Sequence, residues 1–419
     1  MLKVLATTWP LLLGVMLLMV GNGVQGSLLG IRGAIEGFTT FQMSVVMSAY
    51  FLGFLFGTRM APGMISRVGH VRVFAALGSL ISAVLVLYPV LPDWTAWAVM
   101  RILIGFCFAG VYVTAESWLN NTATNETRGQ ALSLYMIVQM IGIITSQALL
   151  NVAEPSGFVL FVISSVLVSL AFTPILLTVT QQAPLFEDTR PLSFRALYRI
   201  SPLGVVGMFL TGGIFSAMFG MASVWGTLEG LSVRDISIFI GAMYGGGLVL
   251  QYPIGWMSDR MDRRTLICGL SVVGAAAMLG TVALAPPFWG LLVASVLLGG
   301  VTNPLYSLLI AYTNDFLGRQ EMAAASAGLL FMNGLGAIAG PLVTGWIMGQ
   351  VGPGGFFLFI GILFALLGVY ALWRMTRRSA PASADTGAFA GLSPAASSLA
   401  VGAMMEEKGQ DTPAPTHPR

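Results

Sequence analysis

Apolar residues run along this chain in stretches of about twenty, one after another, with short polar punctuation between them. Twelve can be read, at approximately 9–30, 41–63, 73–91, 96–119, 129–152, 157–179, 203–225, 236–257, 265–286, 288–311, 322–349 and 355–373. Ten contain no charged residue. Each is long enough to cross the hydrocarbon of a bilayer, which takes about 20 helical residues. Hydrocarbon offers no partner to backbone N–H and C=O groups, and the stretches are too long for barrel strands, so they predict α-helices. The expected fold class is all-α, a polytopic membrane protein with twelve transmembrane helices.

Composition strengthens this picture. Of 419 residues, 56% are hydrophobic and 9% charged, and the mean hydropathy is +0.84, more apolar surface than a water-soluble core can hide. The first stretch follows Met1-Leu2-Lys3 but is too long for a signal peptide's apolar region and lacks a small-x-small cleavage site, so it reads as a retained span. Cys107 and Cys268 fall inside spans and read as packing residues. With the N-terminus inside, fifteen Lys and Arg residues fall on the cytoplasmic face and only Arg32 and Arg234 outside. By the positive-inside rule both termini are then cytoplasmic, and the net charge of +3 reflects topology rather than nucleic-acid binding.

The longest internal connection, TQQAPLFEDTRPLSFRALYRISP at 180–202, splits the spans six and six. Leu192, Ala196 and Ile200 recur in it every four residues, as in a short interfacial helix, although a solvated linker fits as well. SRVGHVR at 66–72 aligns with DRMDRRT at 259–265 at an offset of 193, and Arg128 precedes Arg319 by 191. Two matches at nearly one offset argue for an internal duplication. The expected organisation is an N-terminal six-helix bundle at 1–180, a cytoplasmic loop at 181–202, a pseudo-symmetric C-terminal six-helix bundle at 203–378, and a disordered tail at 379–419, rich in Ala, Ser, Pro and Gly.

The stretch GWMSDRMDRR, 255–264, packs five charges into ten positions. Its Gly255, Asp259, Arg260, Arg263 and Arg264 resemble the G-x-x-x-D-R-x-G-R-R loop signature of the major facilitator superfamily, with Asp262 in place of the second glycine and an eroded first-half copy keeping Arg67 and Gly69. Arg101 and Gly105 resemble that superfamily's R-x-x-x-G element. YVTAESWLNNTATNETRGQALSLYM, GHVRVF and NGVQGSLLGIRGAIEGFTTFQMS are similar to its YcaD-like branch of bacterial inner-membrane carriers. The resemblance implies two bundles rocking about a midplane site. It also implies a cytoplasmic gate in which Asp259 meets the start of the eleventh span, near Met322, when the inner ends of the halves are together. Alternatively, Arg260, Arg263 and Arg264 hold the loop inside and touch anionic headgroups.

Ionisable residues at membrane depth point to function. At about 100° per residue, Arg101, Gly105, Tyr112 and Glu116 share one face of the fourth span. Arg101 is either a cation for an anionic solute or a partner for Glu36 or Asp93. Glu116, the one carboxylate inside a predicted span, is either a proton carrier or part of a gate-side ion pair with Arg59, Arg67 or Arg128. The first, fourth, seventh and tenth spans line the cavity in the family that the chain resembles, which adds Asn22, Gln25, Tyr112, Asn303 and Tyr306 as solute contacts. In the seventh span, Phe215, Met218 and Phe219 suit either an apolar wall or packing.

There is no P-loop, metal-ligand cluster or catalytic triad, so no cofactor and no enzyme activity is expected. The expected partners are a small-molecule solute, membrane lipids and, through Glu116, protons, with no nucleic acid and a monomeric carrier. The reading is a secondary transporter of the bacterial inner membrane. Its rivals are a non-transporting receptor on the same fold and an uncoupled facilitator, and neither import nor export is favoured.

Overall fold

The computed structural model describes residues 2–122, 127–176, 193–377 and 391. The N-terminal half contains α1 (Leu2–Ile35), α2 (Thr40–Val68), α3 (His70–Leu87), α4 (Trp94–Thr122), α5 (Arg128–Leu149), α6 (Val159–Leu170) and α7 (Thr173–Leu176). After α8 (Phe194–Ile200), the second half runs through α9 (Pro202–Leu228), α10 (Val233–Ser258), α11 (Arg263–Leu284), α12 (Phe288–Asn314), α13 (Arg319–Val351) and α14 (Gly355–Met375). Twelve candidate membrane spans result, with α6 and α7 together forming the sixth. Every predicted span has its helix. The bounds differ at the ends: α2, at 29 residues, is about 44 Å long and outruns its apolar stretch, whereas α3 closes at Leu87, before its stretch ends. The first part of the expected central loop, 181–192, and the expected disordered tail, Gly391 apart, lie outside the described residues.

The duplication is written into the turns. Gly37 and Gly230, 193 positions apart, both take positive φ (77° and 72°) just after the first span of their halves. Glycine reaches that region without a Cβ clash. Thr39 then caps α2 by accepting from the Gln42 N–H, and Ser232, again 193 positions on, caps α10 by accepting from the Asp235 N–H.

Within each half the second and fourth spans cross at matched glycines. A Cβ on Gly105 would run into the Tyr50 carbonyl, and one on Gly53 into that of Ile102. In the second half, Gly299 meets the Met243 carbonyl and Gly246 that of Val296. Lipid supplies no hydrophobic drive between helices, so close backbone approach is what lets them associate. α1 packs with α5 and α9 with α13, and the halves meet through α1 against α9, α2 against α13 and α5 against α10.

Substituting Gly299→Val should lower the detergent melting temperature by the equivalent of about 1–3 kcal/mol, the usual cost of overpacking. Gly241→Ala, where a Cβ meets nothing within 4 Å, should be neutral or slightly stabilising. Parallel melts of the two variants check the assignment of Gly299 to a tight crossing.

Candidate functional site

A cavity of about 960 Å³ lies between the halves. α2 contributes much of its wall, with Tyr50, Phe51, Phe54, Leu55 and Thr58 recurring at helical spacing on one face. α1 adds Asn22, α4 Tyr112, α5 Gln139, α9 Phe215 and Phe219, α10 Tyr244, α12 Asn303, and α13 its segment from Ala327. Exposure is graded along the cavity. Asn22, Tyr50, Tyr112, Tyr244 and Asn303 are buried at its deep end, whereas Arg59, Phe56 and Phe194 are exposed near α8. The cavity therefore opens on the side of α8.

The other side is shut by contacts between the halves. The Ser48 hydroxyl donates to the Ile338 carbonyl at 2.5 Å, and the Asn151 amide donates to the Ser237 hydroxyl at 3.0 Å. Gly30 packs on Ser223 and Gly345 on Ser44, in each case too close for a side chain. Just below, Phe219 crosses the seam to stack against Tyr50, with centroids 5.7 Å apart.

Three of the expected solute contacts, Asn22, Tyr112 and Asn303, line this space. The Asn22 amide donates to the Tyr112 hydroxyl at 3.1 Å, leaving Asn22 Oδ1 and Asn303 Nδ2 without partners in the wall. Gln25 and Arg101 sit together one side chain further back, toward the closed side: Arg101 donates to Gln25 Oε1 at 3.4 Å and lies 4.9 Å from the Tyr50 ring centroid. Neither expected partner reaches Arg101. Glu36 pairs with Arg32 at 2.6 Å, and Asp93 caps the start of α4, accepting from the Ala96 N–H at 2.9 Å. That capping, first through the Thr95 hydroxyl, holds the Asp93 carboxyl below its ordinary value.

Tyr306 and Glu116 form a second group away from the cavity wall, with Tyr135 of α5 beside Glu116. Neither Arg59 nor Arg67, both exposed, pairs with Glu116, and the Arg128 side chain lies outside the described residues. Met218, a possible wall residue by sequence, is fully buried. Sequence reasoning gave no role to Tyr50, Gln139 or Tyr244. An aromatic residue in an apolar helix carries no local signal of whether it faces a cavity or a neighbouring helix.

The charged stretch is a staple inside the second half. Burial leaves Arg263 and Arg264 at 3% and 7% exposure, so they do not face headgroups. Arg263 pairs with Asp315 at the end of α12 and also donates to the Ala311 carbonyl at 3.3 Å. Arg264 pairs with Asp262 at 2.8 Å. Burial alone would raise the Asp262 carboxyl, but hydrogen bonds from the Arg264 side chain and backbone outweigh it and hold Asp262 below its ordinary value. Asp262 therefore contributes stability above the ordinary carboxylate range that is lost as pH falls through the lowered value. Arg260 alone turns outward, 4.1 Å over the Trp256 ring. Gly255 is buried and Asp259 closes α10.

α13 packs on α9 and α2, and α10 meets the opposite half through α5. In the first half, His70 occupies the place of Arg263 and meets Ser117 at 2.9 Å, a neutral contact where the second half has an ion pair.

Comparison with known proteins fits this architecture. A family model described as the Major Facilitator Superfamily matches residues 11–249 and, in a second match, 229–405. The chain belongs to the major facilitator superfamily. Among curated proteins, this superfamily member is similar to an uncharacterized MFS-type transporter of Enterobacter sp. (strain 638), 27% identical over 343 residues, 81% of this chain and 88% of that one. It is also similar to the uncharacterized MFS-type transporter YcaD of Escherichia coli O45:K1 (strain S88 / ExPEC), 26% identical over 343 residues with the same 81% and 88% coverage. The resemblance to the YcaD-like branch holds. Of solved structures, the nucleoside transporter NupG (D323A mutant) superposes with a TM-score of 0.73 at 15% identity, covering 87% of this chain and 99% of that one. The D-xylose-proton symporter gives 0.68 at 15% identity, covering 87% and 96%. At such identities the likeness concerns the fold alone. This member of the superfamily is a multi-pass membrane transporter.

In this superfamily member, Asp315→Asn should cost about 3–5 kcal/mol, because it leaves the buried Arg263 without its carboxylate. Replacing both, Arg263→Met with Asp315→Leu, should recover most of that loss. Melting temperatures of the three proteins in one detergent test the staple.

Proposed function

We propose that the protein is a secondary transporter of the bacterial inner membrane, moving a small organic solute by alternating access. One observation carries this reading: a cavity between two pseudo-symmetric halves, open on the α8 side and shut on the other by contacts between those halves. A rocking motion that parts Ser48 from Ile338 and closes the α8 side would present the same residues to the opposite face. α8 and the exposed Arg59, Arg67, Arg195, Arg199 and Arg260 gather on one side, which supports a cytoplasmic face there and an inward-facing state. Trp256 under Arg260, and Trp373 beside Arg374 and Arg377, suit the headgroup level of that leaflet. Both termini are then cytoplasmic, and a monomer suffices.

Asn22, Tyr112 and Asn303 take the solute, with Gln25 and Arg101 behind them, while Tyr306 stands with Glu116. Glu116, buried beside Tyr135 and Tyr306 from two different halves, suits a proton carrier whose charge biases which state the halves adopt. On the inner side Asp259, Arg260 and Arg67 contribute to the gate, while Gly255, Arg263 and Arg264 hold its loop in shape.

The test uses cysteine labelling, which is clean because Cys107 and Cys268 are buried. Thr58→Cys, in the cavity wall, should react with a membrane-impermeant maleimide from the cytoplasmic side. Ser48→Cys, on the shut side, should react from the periplasmic side as the population turns outward, and conditions favouring one should protect the other. Reaction at 58 under all conditions with none at 48 would make the protein a fixed inward-facing receptor. For coupling, Glu116→Gln should abolish the pH dependence of the 48-to-58 labelling ratio. A ratio that still follows pH in that variant removes Glu116 from the role.

A further inference from the structure

Arg101 is the group that the fold leaves unexplained. Its side chain is wholly buried, and no carboxylate among the described residues pairs with it. Its contacts are weak or neutral: Gln25 Oε1 at 3.4 Å, the Met47 sulfur at 3.2 Å and the Tyr50 ring. Arg101 Nε has no acceptor, and around it Gln25 Nε2, the Tyr88 hydroxyl and Asn22 Oδ1 are also unmatched. A guanidinium carries five donors in a planar fork suited to a carboxylate. Burying that charge without a counter-ion is expensive, so something outside the chain is expected to supply the opposite charge.

The surroundings fix the kind of molecule. Arg101 lies behind Tyr50, and Met47 beside it abuts Gly220 on the shut side of the cavity. When that side opens, the guanidinium is at the floor of the outer vestibule, and Tyr50 stands between it and the inner cavity. Among the described residues, the one charged residue in the cavity wall is Arg59, another cation. Phe51, Phe54, Phe215 and Phe219 offer ring faces and edges for an apolar body. A cationic solute would meet like charge at Arg101, and a neutral one would leave it uncompensated.

We propose that the transported solute is an organic anion with an apolar or aromatic body, bound with its negative group against Arg101 and Gln25 and its body against the Tyr50 and Phe219 rings. This rests on reading the protein as a carrier, and the experiment separates the two. The full-length protein is purified and its melting followed at pH 7 with benzoate, benzamide and benzamidine, three probes sharing one ring and carrying negative, no and positive charge. Benzoate should raise the melting temperature by about 2–4 °C near saturation, with little effect from the other two. The rise should vanish in Arg101→Gln and partly survive in Arg101→Lys.

Unliganded Arg101→Gln should melt at or above the wild type, since no ionic partner is lost. The proposal is overturned if benzamide or benzamidine stabilises as well as benzoate, if benzoate still stabilises Arg101→Gln, or if benzoate has no effect up to its solubility limit. A marked drop in the melting temperature of unliganded Arg101→Gln also overturns it, because the guanidinium would then be structural. If benzoate acts through Arg101 while positions 48 and 58 never alternate in labelling, the anion site stands and the carrier reading fails. Alternation without any benzoate effect fails the anion proposal alone.

Discussion

Polar groups in hydrocarbon have nowhere to go but inward, and the rest of the structure follows from where they can be put. Backbone groups are satisfied by the helices themselves. Side chains such as Asn22, Gln25, Arg101, Tyr112, Glu116 and Asn303 are all but fully buried, and they gather near the seam between two bundles. Burying them there requires the helices around the seam to approach closely, which Gly53, Gly105, Gly246 and Gly299 allow by bringing backbone against backbone.

The halves are alike in outline and unlike in the strength of their fastenings. Caps, glycine turns and helix crossings repeat at offsets of 193 or 194 positions, so each bundle is the same object twice. At the α8 end, however, the second half is tied by the buried Arg263–Asp315 pair, where the first has the neutral His70–Ser117 contact. The second half thus has the stiffer end, while the first half supplies both ionisable groups at membrane depth, Arg101 and Glu116.

The chain by itself determined the number, length and helical nature of the spans, because hydrocarbon leaves a twenty-residue apolar stretch one way to satisfy its backbone. It also determined the duplication, through repeated local signals, and the charge asymmetry of the two faces. Polar residues such as Asn22, Tyr112 and Asn303 stand out in apolar stretches, but it took the resemblance to the family to single them out as cavity residues. The chain by itself did not reveal that Tyr50 lines the deep end of the cavity, since an aromatic residue in an apolar helix carries no local mark of which neighbour it faces.

Only the tertiary structure decided the partners. Arg263 and Arg264 read equally well as headgroup contacts until the fold turned them inward onto Asp315 and Asp262. The eighth span meets the opposite half through the fifth, a pairing that no stretch of either span announces. Arg101 had two candidate carboxylates within reach along the sequence, and the fold gave both of them other work. Periodicity within one helix fixes which face a residue occupies. Which residue meets it across a gap depends on how separate helices are arranged around the pseudo-twofold, and that is a property of the assembled halves that no single stretch of sequence contains.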